Sequence, residues 1–84
     1  MFTVKVSKQA VKFIKKLNEP QLSRVKSKIK LLENWPVEMD VKAMKGNYKG
    51  YFRLRIGDVR VIFYPDSKTN VIFVDAIGFR GDVY

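Results

Sequence analysis

The stretch "YFRLRIGDVRVIFY", residues 51–64, constrains this chain most, because it alternates apolar and polar residues on both sides of one turn. Gly57-Asp58 is a two-residue connection of the kind that joins tight β-hairpins. With the turn there, Ile56 faces Val59, Arg55 faces Arg60, Arg53 faces Ile62, Phe52 faces Phe63 and Tyr51 faces Tyr64. Side chains alternate between the two faces of a strand. Phe52, Leu54, Ile56, Val59, Val61 and Phe63 therefore share one apolar face, and Tyr51, Arg53, Arg55, Arg60, Ile62 and Tyr64 share the other. A one-residue slip would exchange the two faces. The first face needs a hydrophobic cover. The second carries an Arg55–Arg60 pair, a like-charge contact that opposes folding by about 0.2–1 kcal/mol, with Asp58 the only carboxylate close in sequence. A phosphate chain resolves that conflict, since guanidinium groups bind phosphate bidentately and tyrosine rings stack on bases. The competing reading spreads the arginines into solvent or pairs them with Asp75 or Asp82.

The rest of the chain supplies the cover. Residues 2–6, "FTVKV", alternate as a strand with Phe2, Val4 and Val6 inward. Ser7 suits a helix N-cap, and Ala10, Phe13, Ile14 and Leu17 then follow helical spacing, leaving Lys8, Lys12, Lys15 and Lys16 outside the stripe. "NEP" at 18–20 breaks that helix, and Leu22, Val25, Ile29 and Leu32 repeat the spacing in a second one. Trp35-Pro36 ends it, because proline disfavours helix at the residue before it. Trp35 is expected to anchor the core at that end. The segment 37–50 reads as a connection with a short extended piece near Val41–Met44. After the hairpin, "PDSKTN" at 65–70 is turn chemistry, and a last strand covers 71–77. The expected fold is a small α+β domain of order β-α-α-β-β-β spanning 1–84, a helical hairpin packed on a mostly antiparallel sheet. With 84 residues, such a chain buries roughly 60–65% of its unfolded surface, so nearly every apolar residue must contribute.

Charge and composition narrow the chemistry. The net charge of +9 favours a polyanionic partner. Four of the five arginines lie after residue 50, and eleven of the twelve lysines in the first fifty residues. Arginine is a planar fork matched to phosphate, whereas lysine is a hydrated point charge. The absence of cysteine and histidine excludes thiolate chemistry, disulfides, Ser–His–Asp triads and histidine-ligated metals. No Walker loop or GxGxxG is present. The longest apolar runs are too short for a membrane span and no secretory leader is evident, so a cytoplasmic location is expected, with no membrane partner. An enzyme built this way works with Arg, Lys and Tyr. That points to phosphate chemistry, where much of the task is stabilising charge.

"KAMKGNYKGYFRLRIGDVRVIFY" and the closing "VDAIGFRGDVY", with the element order above, resemble the RelE/ParE family of toxins from type II toxin–antitoxin systems across essentially the whole chain. The RelE-like branch implies a ribosome-dependent endoribonuclease that cuts mRNA in the decoding site without metal or cofactor, inhibiting translation. It also implies an antitoxin partner that wraps the toxin in a hetero-oligomer. By this resemblance Arg60, Arg80, Tyr84 and Arg53 fall on the catalytic positions. The pair of strand positions that carry lysine in well-studied ribonucleases is here Tyr51 and Arg53, with Arg55 just beyond and Lys45 and Lys49 as substitute cations. Attack of the mRNA's own 2′-OH on the adjacent phosphate is the expected reaction. Arg60 and Arg80 would stabilise the pentacoordinate phosphate, and Arg53, Arg55 and Tyr51 would hold the strand. Tyr84 would stack a base or transfer a proton, while Lys12, Lys15 and Lys16 would contact ribosomal RNA or simply form a solvated face. Two other readings remain: a ParE-like toxin that inhibits DNA gyrase without cutting RNA, and a non-catalytic nucleic-acid-binding module.

Overall fold

The computed structural model describes residues 1–81; Tyr84, with Asp82 and Val83, lies outside them. The elements are β1 (Thr3–Val6), α1 (Lys8–Lys15), α2 (Gln21–Leu31), β2 (Val41–Ala43), β3 (Phe52–Ile56), β4 (Val59–Asp66) and β5 (Val71–Phe79), with short 3-10 turns at Leu32–Asn34 and Gly46–Tyr48. They build a five-stranded sheet in the order β1-β5-β4-β3-β2. Only the β1–β5 pairing is parallel.

The hairpin has the register that its alternation predicts, with Ile56 opposite Val59, Arg55 opposite Arg60, Arg53 opposite Ile62 and Phe52 opposite Phe63. Gly57 takes a φ of 60°, the positive value that glycine supplies at the first central position of a type II′ turn. Both helices lie on the apolar face. Ala10 and Leu17 of the first stripe and Val25, Ile29 and Leu32 of the second are buried against Leu54, Ile56, Val59, Val61, Phe63, Ile72, Val74 and Ile77. Trp35 closes this core edge-on, its ring centroid 4.9 Å from Phe52 and 5.1 Å from Phe63.

Ser7 turns the chain from β1 into α1. Its Oγ accepts from the Ala10 N–H at 3.2 Å and donates to the Asp75 carbonyl at 2.7 Å. One turn on, the Gln9 side-chain amide substitutes for a strand neighbour: Nε2 donates to the Ile77 carbonyl at 2.9 Å, and the Ile77 N–H donates to Oε1 at 3.0 Å. The exposed edge left where β1 stops is thereby capped.

Several boundaries differ from expectation, and β5 runs two residues past 77, to Phe79. The extended piece at Val41–Ala43 is a true edge strand, so the sheet has one strand more than the predicted order gives. The second helix finishes as a 3-10 turn at Leu32–Asn34. β4 continues through Pro65 and Asp66, leaving a turn of only Ser67–Asn70. Pro65 sits where β4 has outrun β3, a place where a strand tolerates a residue with no N–H.

Candidate anion-binding site on the open sheet face

The face of the sheet away from the helices is organised in rows set by register. In the row nearest the hairpin turn, Arg55 and Arg60 lie side by side, with Gly78 beyond Arg60. Asp40 stands on the other flank, its carbonyl accepting the Arg55 N–H at 2.9 Å. The next row runs Lys42–Arg53–Ile62–Ala76. Asp40, Lys42, Arg53, Arg55 and Arg60 together line one cleft of about 130 Å³. Four cations and one carboxylate share it. Ile62, the register partner of Arg53 on this face, is fully buried yet stands apart from the core beneath the helices.

The conflict between Arg55 and Arg60 has a local remedy that the hairpin sequence does not contain. Arg55 Nε donates to Asp40 Oδ2 at 2.6 Å. Neither Asp75 nor Asp82, the partners weighed from sequence, is needed for Arg55. The side chains are 59% and 44% exposed, so the pair contributes at most about 1 kcal/mol. Its main effect is to fix where the guanidinium points. Arg60 curls over the turn instead, Nη1 donating to the Gly57 and Val59 carbonyls at 3.2 and 3.5 Å. These bonds engage one of its three nitrogens. Among the described residues, no carboxylate or carbonyl accepts from the Arg53 guanidinium, which lies between Lys42 and Ile62. The cleft thus offers several unspent N–H donors to one anion, the donor pattern that bidentate phosphate recognition uses.

The remaining candidates lie at graded distances from this centre. Tyr51 and Tyr64 follow directly on the same face, ring centroids 5.5 Å apart and tilted by 40°, with the Tyr48 ring perpendicular to Tyr51 at 6.4 Å. Lys45 and Lys49 are exposed on either side of the Gly46–Tyr48 turn that leads into them. Arg80 follows β5, its N–H donating to the Asp58 carbonyl at 2.8 Å beside the hairpin turn. It lies in the turn just beyond β5, two residues after Gly78, the register partner of Arg60, and it does not line the cleft. Lys12, Lys15 and Lys16 are exposed on or just after α1, on the helix side of the sheet, away from the cleft. Tyr84 lies outside the described residues. Asp40 and Lys42 were missed by sequence reasoning. Their signal was the alternation of "DVK" at 40–42, which places both on one face once this segment is a strand beside β3. No cluster of three or more Asp or Glu suited to a metal ion occurs among the described residues.

The molecule is thus a small α+β protein, a helix-backed sheet with arginines clustered on its open face. The profile of the ParE toxin of type II toxin–antitoxin systems (parDE) matches residues 4–84. The chain therefore belongs to this toxin family. Among solved structures, it is similar to the archaeal RelE–RelB complex from Pyrococcus horikoshii OT3, with 32% identity, 98% of each chain covered and a TM-score of 0.82. It is also similar to the RelB–RelE antitoxin–toxin complex from Methanococcus jannaschii, with 25% identity, 88% of this chain and 87% of that one covered and a TM-score of 0.71. The intact E. coli RelBE toxin–antitoxin complex shares the fold at 14% identity, with 99% of this chain and 100% of that one covered and a TM-score of 0.77. No match was found among curated protein sequences.

Proposed function

We propose that this toxin is a ribosome-dependent endoribonuclease that cleaves mRNA by attack of the substrate's own 2′-OH, and that a cognate antitoxin silences it. The observation that carries this reading is the convergence of Arg53, Arg55 and Arg60 on one cleft. The similarity to a RelE chain that was solved with RelB supports it. In the reaction, the 2′-oxygen forms a bond to the adjacent phosphorus, the bond to the 5′-oxygen breaks, and a 2′,3′-cyclic phosphate and a 5′-hydroxyl result. The protein aligns attacking and leaving oxygens and stabilises the charge that builds on the phosphoryl oxygens.

Arg60 takes the central role, assisted by Arg80 from beyond β5. Arg53 and Arg55 grip the backbone, with Lys45 and Lys49 along the strand's path and Tyr51 beside it. Arginine scarcely releases its proton at neutral pH, so these groups stabilise charge and do not shuttle protons. Tyr84 is assigned to stacking or proton transfer by family resemblance alone. Lys12, Lys15 and Lys16 form a separate basic face suited to ribosomal RNA. A second reading, inhibition of DNA gyrase without RNA cleavage, is favoured by the ParE profile match. Primer extension on mRNA incubated with toxin and ribosomes, run beside a gyrase supercoiling assay, decides between them. Discrete ribosome-dependent cuts with unimpaired supercoiling are expected. Intact mRNA with inhibited supercoiling would overturn the proposal.

A further inference from the structure

The open face does not end at the cleft. One row further from the hairpin turn, Tyr64 is the register partner of Phe73 on β5, and Phe73 is the parallel partner of Lys5 on β1. With Tyr51, the residue just before β3, beside Tyr64, three aromatic side chains form a row that ends in a lysine. Tyr64 is 39% and Phe73 40% exposed. A single exposed Phe is unremarkable, but adjacent exposed rings on a sheet surface mark a surface that binds something. The core has no use for them: it lies on the other face.

Two details show that the row is positioned. Gly50 takes a φ of 96°, a conformation that favours glycine, and a Cβ built there would lie 3.3 Å from Tyr64 Cε1, so the chain passes close against the ring's edge. Ile62 and Ala76, the register pair between this row and the Arg55–Arg60 row, keep the surface low between rings and cations. Two residues along a strand is about 7 Å. Tyr51 is therefore one such step from Arg53, and a strand whose phosphate occupies the cleft lays its neighbouring base over the rings.

We infer that Tyr51, Tyr64 and Phe73 form a stacking shelf for unpaired nucleobases, continuous with the phosphate cleft, so that the face reads single-stranded RNA as alternating phosphate and base. The inference rests on the proposed RNA-directed function. Its occupant is argued from the adjoining charge: Arg53 and Lys42 on one side and Lys5 on the other favour a polyanion with flat apolar faces over an apolar peptide. Stacked aromatics on a sheet surface are a recurrent means of holding single-stranded RNA.

The test is a fluorescence-anisotropy titration of the purified toxin with a short single-stranded 2′-O-methyl oligoribonucleotide, which lacks the attacking hydroxyl, and with its abasic counterpart. The wild type is expected to bind the base-bearing oligonucleotide about 5- to 100-fold more tightly than the abasic one. The Tyr64→Leu/Phe73→Leu variant, altered only at exposed positions, should lose that preference while its salt dependence stays unchanged, because no phosphate contact is removed. Circular dichroism confirms that it is folded. Equal binding of the two oligonucleotides by the wild type, or a preference that survives in the variant, overturns the shelf. If Arg53→Gln then still weakens abasic binding and flattens its salt slope, the cleft stands without the shelf. Failure of either oligonucleotide to bind at low salt sinks the cleft and the shelf together. A variant that binds RNA normally but loses its antitoxin makes the row a protein-docking face and overturns the assignment.

Discussion

Replacing Asp40 by Asn probes the charge arrangement of the cleft without changing its shape. The carboxylate does two things: it pairs with Arg55 at 2.6 Å, and it offsets the repulsion between Arg55 and its direct neighbour Arg60. An exposed ion pair contributes about 0.2–1 kcal/mol, and a like-charge cross-strand pair costs a similar amount. Losing the first and unmasking the second should destabilise the protein by about 1 kcal/mol at low salt. For a domain of this size that is a fall of about 4–8 °C in Tm. The backbone bond from the Arg55 N–H to the Asp40 carbonyl survives the substitution, so β2 stays paired. Thermal unfolding followed by circular dichroism should show the deficit at about 0.01 M salt and most of it gone at about 1 M, where the Debye length falls to about 3 Å. In an Arg55→Met background the same substitution should have little effect. A deficit that persists at high salt, or is undiminished without Arg55, would show that Asp40 acts through something other than these charges.

Other consequences follow from the packing. Phe63 is fully buried beneath Trp35, and Phe63→Ala should cost about 3–5 kcal/mol in urea unfolding and shift the Trp35 emission to the red; a loss under about 1 kcal/mol would contradict the core assignment. Gly50→Ala must adopt a positive φ and press on the Tyr64 ring, and should lose about 1–3 kcal/mol; an unchanged denaturation midpoint would refute this. The Ser23 hydroxyl, and then its N–H, donate to Glu19 and hold that carboxyl below its ordinary value. A depressed folded-state pKa adds stability above the unfolded value that is lost as pH falls through the folded one. Glu19→Gln should accordingly lower Tm near neutrality, with the gap to wild type closing in acid; a gap independent of pH would count against it.

The hairpin was legible because its information is local: one turn and strict alternation fix which residues oppose one another, and the Arg55–Arg60 clash is visible in the letters. The helical stripes were legible for the same reason, since Ala10, Leu17, Val25, Ile29 and Leu32 recur with the period of a helix and are buried as that period requires. Asp40 and Lys42 were not, because β2 has three residues and acquires its register only from β3 across a long connection. Phe73 was likewise hidden. Its place beside Tyr64 depends on a bulge between β4 and β5 near Ile62 and Phe63, which shifts the pairing by one residue in a way that no alternation within "VIFVDAIGF" discloses. Local pattern reveals the elements; partners brought from a distant edge complete the site.

The central claim is that the guanidinium at Arg60 stabilises the charge of a phosphoryl group in transit. Single-turnover cleavage of ribosome-bound mRNA by wild type and by Arg60→Ala measures this directly. The account predicts a fall of about 10²–10³-fold in the rate of the chemical step, the usual effect of removing one preorganised electrostatic stabiliser, with the variant folded and bound. A variant that cuts as fast as wild type would contradict it.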